Sequence, residues 1–254
     1  MDTQARAALK ILRRVSALGH DPAPLVQRFT LADVLSSSES RIPFTTLATL
    51  FEAAAELASD PDFGLHLSQQ TNLGEFDVLG YAAANSRDIA DALQRATRCY
   101  RLWSAAGSLE LTAPATVVYR APVYRQDAEF TLALVLGAIR QLTGVAVVPV
   151  AVDFRHPPPP STTAHERLFG VPPRFGQPET RLSLTPATLS LPVLAADPLL
   201  LELLDRHAEH QLAGLPDASP SLVSRVAAIL RAELPGGDPG LQNIARQLGL
   251  SPRS

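Results

Sequence analysis

Residues 88–121 read DIADALQRATRCYRLWSAAGSLELTAPATVVYRA, and within this stretch the spacing of apolar side chains changes once. From Asp88 to Trp103 the residues Ile89, Ala92, Leu93, Ala96, Tyr100 and Trp103 recur at three and four, while Arg87, Asp91, Gln94, Arg95 and Arg98 take the other side. That spacing predicts an amphipathic helix laid on a core. Past Gly107 the period falls to two, with Leu109 and Leu111 alternating before Ala113-Pro114 and Val117, Tyr119 and Ala121 alternating after it. Alternation on both sides of a turn predicts an antiparallel hairpin.

Working outward, the chain is helical on both flanks. Ala8, Ile11, Leu12, Val15 and Leu18 form one face that ends at Gly19, and Pro43 to Ala58 buries Leu47, Leu50, Phe51, Ala54 and Leu57. Asp60-Pro61 is expected to cap the next helix. Downstream, Phe130, Leu134, Val135, Ala138, Ile139 and Leu142 predict a long apolar helix stopped by Gly144. Val147 to Phe154 is a β-branched run expected to form a central buried strand. Pro157 to Pro160 then impose an extended loop, Arg181–Thr185 and Leu189–Leu191 supply further short strands, and Asp197 caps a helix through Leu200, Leu203, Leu204 and Ala208. The fold class is therefore α+β, helices packed around a largely antiparallel sheet.

Gly214–Pro220, with two prolines, reads as a linker between a body, residues 1–213, and a tail, residues 221–254. The tail carries Arg225, Arg231, Arg246 and Arg253 against Glu233 and Asp238, a net +2. With −3 for the 254-residue chain, the first 220 residues carry −5, and this change of sign suits a nucleic-acid-facing module. Within the tail, Leu222, Val223, Val226, Ile229 and Leu230 share a helical face broken by Pro235-Gly236-Gly237. A second short helix follows with Leu241, Ile244, Ala245 and Leu248, and Gly249 leads to Ser251-Pro252, a strong signal for a further helix. Helix, glycine-containing turn and helix at this spacing make a helix-turn-helix, the start of an all-α module.

The run Asn243-Ile244-Ala245-Arg246-Gln247-Leu248-Gly249-Leu250-Ser251-Pro252-Arg253-Ser254 resembles the first helix-turn-helix of the AraC/XylS family of bacterial transcription regulators. Asp60-Pro61-Asp62-Phe63-Gly64-Leu65-His66-Leu67, Leu79-Gly80-Tyr81, Ser86, Ala92-Leu93, Tyr100, Val152-Asp153-Phe154-Arg155-His156 and Phe169-Gly170-Val171-Pro172 resemble that family's subgroup with an arabinose-binding-like N-terminal domain. The resemblance implies an effector-sensing body and a DNA-binding tail of which only the beginning is present. Ser251, Arg253 and Ser254 would open the recognition helix. It further implies DNA as partner through the complete C-terminal domain, an unidentified small-molecule effector, and a homodimer.

The candidate effector site is the junction of the 88–103 helix with the sheet, where Tyr100 and Trp103 stand one turn apart and Tyr81 precedes them, because aromatic walls with polar tips suit small-molecule pockets. Arg155-His156, after the 147–154 run, is the candidate for binding an anionic group. No cofactor, metal or catalytic residue is expected. Cys99 is the single cysteine, and the one histidine pair at metal spacing, His207 and His210, reads as a solvated helix face. Phosphate-binding loops, dinucleotide fingerprints and nucleophile elbows are absent, so the chain is not expected to be an enzyme. An α+β enzyme acting on a small molecule, or a ligand-free dimerisation module, is the alternative. With neither a signal peptide nor a membrane span in the sequence, the expected compartment is the cytoplasm.

Overall fold

The computed structural model describes residues 2–34, 40–215, 229 and 240–248. The chain divides into two compact units, Met1–Ala213 and Gly214–Ser254. In the second unit one helix is described, Leu241–Leu248, in which Ile244 and Leu248 are buried. The 222–230 helix, apart from Ile229, and the Ser251, Arg253 and Ser254 positions lie outside the described residues, as do 216–220 of the expected linker.

The first unit is mixed helix and sheet. A short N-terminal strand β1 (Asp2–Gln4) pairs antiparallel with β2 (Arg41–Pro43). It is anchored by Thr3 Oγ1 and Gln4 Nε2, which donate to the carbonyls of Trp103 and Leu102. Around it lie α1 (Arg6–Ala17), α2 (Ala23–Arg28), α3 (Phe44–Leu57) and α4 (Phe63–Gln69). Ile11, Val15, Leu50, Phe51 and Phe63 knit these helices into a core of their own. Asp60 does not cap α4. Its carboxylate accepts instead from the Asp62 backbone N–H at 3.1 Å and contacts His66 Nδ1 at 2.8 Å, so the helix begins three residues past the aspartate.

A 3₁₀ turn (Leu73–Phe76) leads into α5 (Asp77–Ala84) and then α6 (Ile89–Trp103). The Asp88 carboxylate accepts the Asp91 N–H at 2.8 Å, which is why α6 starts where it does. The expected hairpin is β3 (Ser108–Thr112) with β4 (Thr116–Arg120), Leu109 opposite Tyr119 and Leu111 opposite Val117. Then come α7 (Arg125–Thr143), β5 (Ala151–Asp153), α8 (Thr163–Phe169), β6 (Thr180–Ser183), α9 (Pro186–Leu189) and α10 (Pro198–Ala213). The four-stranded sheet is antiparallel in the order β3-β4-β6-β5.

Two expected strands differ. The 147–154 run yields only the three-residue edge strand β5, with Val148 53% and Val150 62% exposed. Pro149 lacks the N–H a central strand would need, and beyond its pairing with β6 the strand β5 meets only the isolated bridge from Asp153 to Arg174. Leu189–Leu191 is not a strand, because Thr185 accepts the Thr188 N–H and Pro186 opens the short helix α9. At the far end, Asp197 accepts from Leu199 and Leu200 and starts α10, yet Leu200 and Leu203 are exposed and Ala208 is the buried contact. What holds α10 is charge. Asp205 takes hydrogen bonds from Arg95 Nη2 and Arg98 Nη2, both 2.9 Å, on α6.

Helix α7 sits at the centre. Leu132, Ala133, Leu136 and Ile139 join Val117, Val152, Phe154 and Leu182 in the core beneath the sheet, while Phe130 reaches the helical core and meets the Phe51 ring at a tilt, centroids 5.4 Å apart.

Candidate functional site

Part of the face of α7 that the sequence marks as apolar stands away from the sheet. Leu134, Val135, Ala138 and Leu142 are half-buried and look into a cleft closed on its other side by α5, α6 and the 3₁₀ turn. The opposing wall includes Leu73, Phe76, Leu79, Leu93, Tyr100 and Trp103. The cleft is narrow, with a cavity volume of about 100 Å³, and its lining is almost wholly hydrocarbon. Apolar residues thus occupy both sides of α7, a pattern that requires cover on both. Cover is complete only on the sheet side.

Phe76 and Trp103, ring centroids 4.6 Å apart, together with Phe130 form the boundary between this cleft and a second cavity. The second cavity is wider, about 700 Å³, and runs under α1. Its floor includes Leu47, Phe51 and Leu67, and its rim carries Arg6, Lys10, Arg13 and Arg14 against Glu75 and Asp127. Arg6 pairs with Asp77 and Lys10 with Glu75, each at 2.6 Å. Burial pulls the Lys10 ammonium below its ordinary range in spite of that carboxylate, so this rim gains from added negative charge.

A buried polar group separates the cavities from the sheet. The Tyr119 hydroxyl donates to Asp127 Oδ2 at 2.7 Å, and the Tyr100 and Tyr119 rings meet edge to face at 6.3 Å. Burial pushes the Asp127 carboxyl up to about 7, the Tyr119 hydrogen bond opposing and the Glu52 charge reinforcing it. Burial likewise raises both tyrosine hydroxyls. Asp127 lines the wider cavity and Tyr100 the apolar cleft, so this buried polar group touches both.

The residues singled out from sequence do not converge. Tyr100 and Trp103 share the cleft, with Trp103 lining both cavities. Tyr81 lies on the outer side of α5, half-exposed, and is not part of either lining. Arg155 is exposed, its Nη1 3.5 Å from the Ala121 carbonyl. His156 is buried between Phe154 and Phe175, donates Nδ1–H to the Pro157 carbonyl at 2.9 Å, and has its pKa lowered by burial. Neither lines these two cavities. The signals that could have nominated the cleft were the apolar residues all round α7 and the basic run on α1.

Comparison with known proteins defines the class. Residues 19–193 match the arabinose-binding N-terminal domain of AraC transcription regulators. Over 230 residues the chain is 32% identical to the ornithine utilization regulator of Pseudomonas aeruginosa, a match covering 87% of this chain and 67% of that protein. It is 28% identical over 250 residues to the HTH-type transcriptional regulator VirS of Mycobacterium tuberculosis, covering 93% and 72%. The crystal structure of the transcriptional regulator CdpR from Pseudomonas aeruginosa shares the fold at 17% identity, with a TM-score of 0.50 over 90% of this chain and 76% of that one. The matched domain and these relatives belong to transcription regulators, and that is the class. The chain belongs to the AraC family, in the group whose N-terminal domain is of the arabinose-binding type.

Proposed function

We propose that the first unit senses an amphiphilic anion, its apolar part in the α5–α6–α7 cleft and its head group toward the basic rim of α1. Binding would bias how a cytoplasmic homodimer presents its DNA-binding segments, in which Ser251, Arg253 and Ser254 open the recognition helix. The observation that carries this reading is the junction at Phe76, Trp103 and Phe130 of a hydrocarbon-lined cleft with a cavity rimmed by Arg6, Lys10, Arg13 and Arg14. A ligand shifts the regulator only as far as it prefers one arrangement over the other. No catalytic role is assigned to any residue. The sequence-based assignment of Tyr81, Arg155 and His156 to the effector finds no support in their placement, whereas that of Tyr100 and Trp103 does.

Trp103 is the only tryptophan and lines both cavities, so its emission reports occupancy directly. Titration with decanoate and with decanol should show both binding, decanoate more tightly. Replacing Lys10 and Arg13 together by glutamine should erase roughly a tenfold preference while leaving decanol affinity in place, since a factor of ten is about 1.4 kcal/mol and suits a partly desolvated charge contact. If neither compound alters Trp103 emission or thermal stability, the effector reading fails.

A further inference from the structure

On the other side of α7 from the cleft lies a cluster that neither the regulatory reading nor the sequence motifs absorb. Glu129, fully buried on α7, has Oε1 2.8 Å from Nε2 of the fully buried His165 on α8 and 3.6 Å from Nε2 of His156, whose side chain is 4% exposed. Asp62, which precedes α4, places Oδ1 3.9 Å from His165 Nδ1. One ligand atom each from Asp62, Glu129 and His165 fit within 4.8 Å of one another. Phe154 and Phe175 pack on both imidazoles, so the surroundings are otherwise apolar.

The hydrogen bonding of this cluster does not close. Glu129 Oε2, His156 Nε2 and both ring nitrogens of His165 are buried without a hydrogen-bond partner. The His156 tautomer makes the deficit specific. Its Nδ1–H is given to the Pro157 carbonyl, which leaves a lone pair on Nε2 facing a carboxylate oxygen that also carries lone pairs. Two acceptors face each other in an apolar pocket, and a buried polar group left unpaired carries its full desolvation cost. Arg125 answers only part of this. Its Nε donates to Glu129 Oε1 at 2.9 Å and its Nη2 to Asp62 Oδ1 at 3.3 Å, but it makes no bond to Oε2 or to either histidine.

We propose that Asp62, Glu129 and His165 bind one divalent transition-metal ion, with His156 drawn in as the fourth ligand. Two imidazoles and two carboxylates are a borderline donor set that suits zinc, and four protein ligands describe a closed structural site. The arrangement around it matches what such a site needs. A histidine ligand gives its second N–H to a backbone carbonyl, as His156 does, and an outer group holds the carboxylates in place, as Arg125 does. The ion would fasten the start of α4, the first half of α7, α8 and the loop after β5 to one another. Sequence reading missed it because its ligands lie at 62, 129, 156 and 165, spread over four elements with no shared motif.

The test uses the whole chain, produced without a polyhistidine tag and never exposed to chelator. Elemental analysis should find about one zinc per chain, and exchange with Co²⁺ should produce the visible absorption of a four-coordinate site. His165→Gln and His156→Gln should each lower Zn²⁺ affinity at least roughly tenfold, while Glu166→Gln, beside His165 but outside the cluster, should not. Added Zn²⁺ should raise the melting temperature of metal-stripped chain by mass action. If a histidine variant does not fold, the Co²⁺ spectrum of the unaltered chain decides. A chain free of metal that gives no Co²⁺ spectrum, with a melting temperature indifferent to EDTA and Zn²⁺, would overturn the proposal and leave water as the partner of those four atoms.

Discussion

Ala138→Phe tests whether the two faces of α7 differ as the structure describes. Ala138 is half-buried and opens on the apolar cleft, whereas Leu136, two residues earlier, is fully buried in the core beneath the sheet. A phenyl group added at a packed position costs about 1–3 kcal/mol, because neighbours must leave their rotamers. Added at an open cleft it instead covers apolar surface at roughly 25 cal/mol per Å², offset by lost side-chain freedom. The expected change in unfolding free energy is therefore within about 1 kcal/mol of zero, against a loss of about 2–5 kcal/mol for Leu136→Ala. Urea denaturation followed by circular dichroism measures both. The second half of the prediction concerns ligand. At one hundred times its Kd, decanoate should stabilise the unaltered chain by about 2.7 kcal/mol and the Ala138→Phe chain by nothing measurable, because the ring occupies the space the alkyl chain needs. Two results would refute this reasoning: Ala138→Phe as damaging as Leu136→Ala, or decanoate stabilising both chains equally.

Asp127 has its carboxyl raised from 3.8 to about 7, so between those values the folded chain keeps a proton that the unfolded chain has lost. Its contribution to stability is thus present below about pH 4 and declines as pH rises toward 7, by on the order of 4 kcal/mol at most. Asp127→Asn should remove that decline, becoming progressively more stable relative to the unaltered chain between pH 4.5 and pH 8. A stability difference that does not change with pH would contradict the assignment. Gly80→Ala probes the cleft wall, since a Cβ there would lie 1.7 Å from the Leu73 carbonyl oxygen and force α5 away from the 3₁₀ turn. We expect a loss above about 2 kcal/mol in denaturant melts, together with weaker decanoate binding, because Leu73 and Leu79 line the cleft.

How far the fold was legible depended on whether polar and apolar residues were segregated. In α6 they are: Ile89, Leu93 and Tyr100 are buried, Arg95 and Arg98 meet Asp205, and Asp88 caps the start. The β3–β4 hairpin was legible for the same reason at period two. Val147–Phe154 was not, because a continuous apolar run carries no information about which side chains meet protein. Val152 and Phe154 are wholly buried while Val148 and Val150 face solvent. The Arg155-His156 pair lies in a bend just past β5, where the imidazole is turned inward among aromatic rings and the guanidinium is exposed.

Helix α7 explains why the cleft was hidden and also why it exists. An apolar stripe on one side of a helix identifies its buried face, but α7 carries two, and sequence alone does not say which of them the fold covers. The sheet covers Leu132, Leu136 and Ile139, and the helices α5 and α6 only partly cover Leu134, Val135 and Ala138. A half-covered hydrocarbon face is unfavourable in water and becomes favourable when an apolar molecule completes it. The same residues therefore lower the stability of the empty domain and supply the free energy for binding an apolar ligand. Because α7 also carries Asp127, which lines the wider cavity and accepts the Tyr119 hydroxyl, the helix that lines the cleft packs in both cores and is bonded to the sheet.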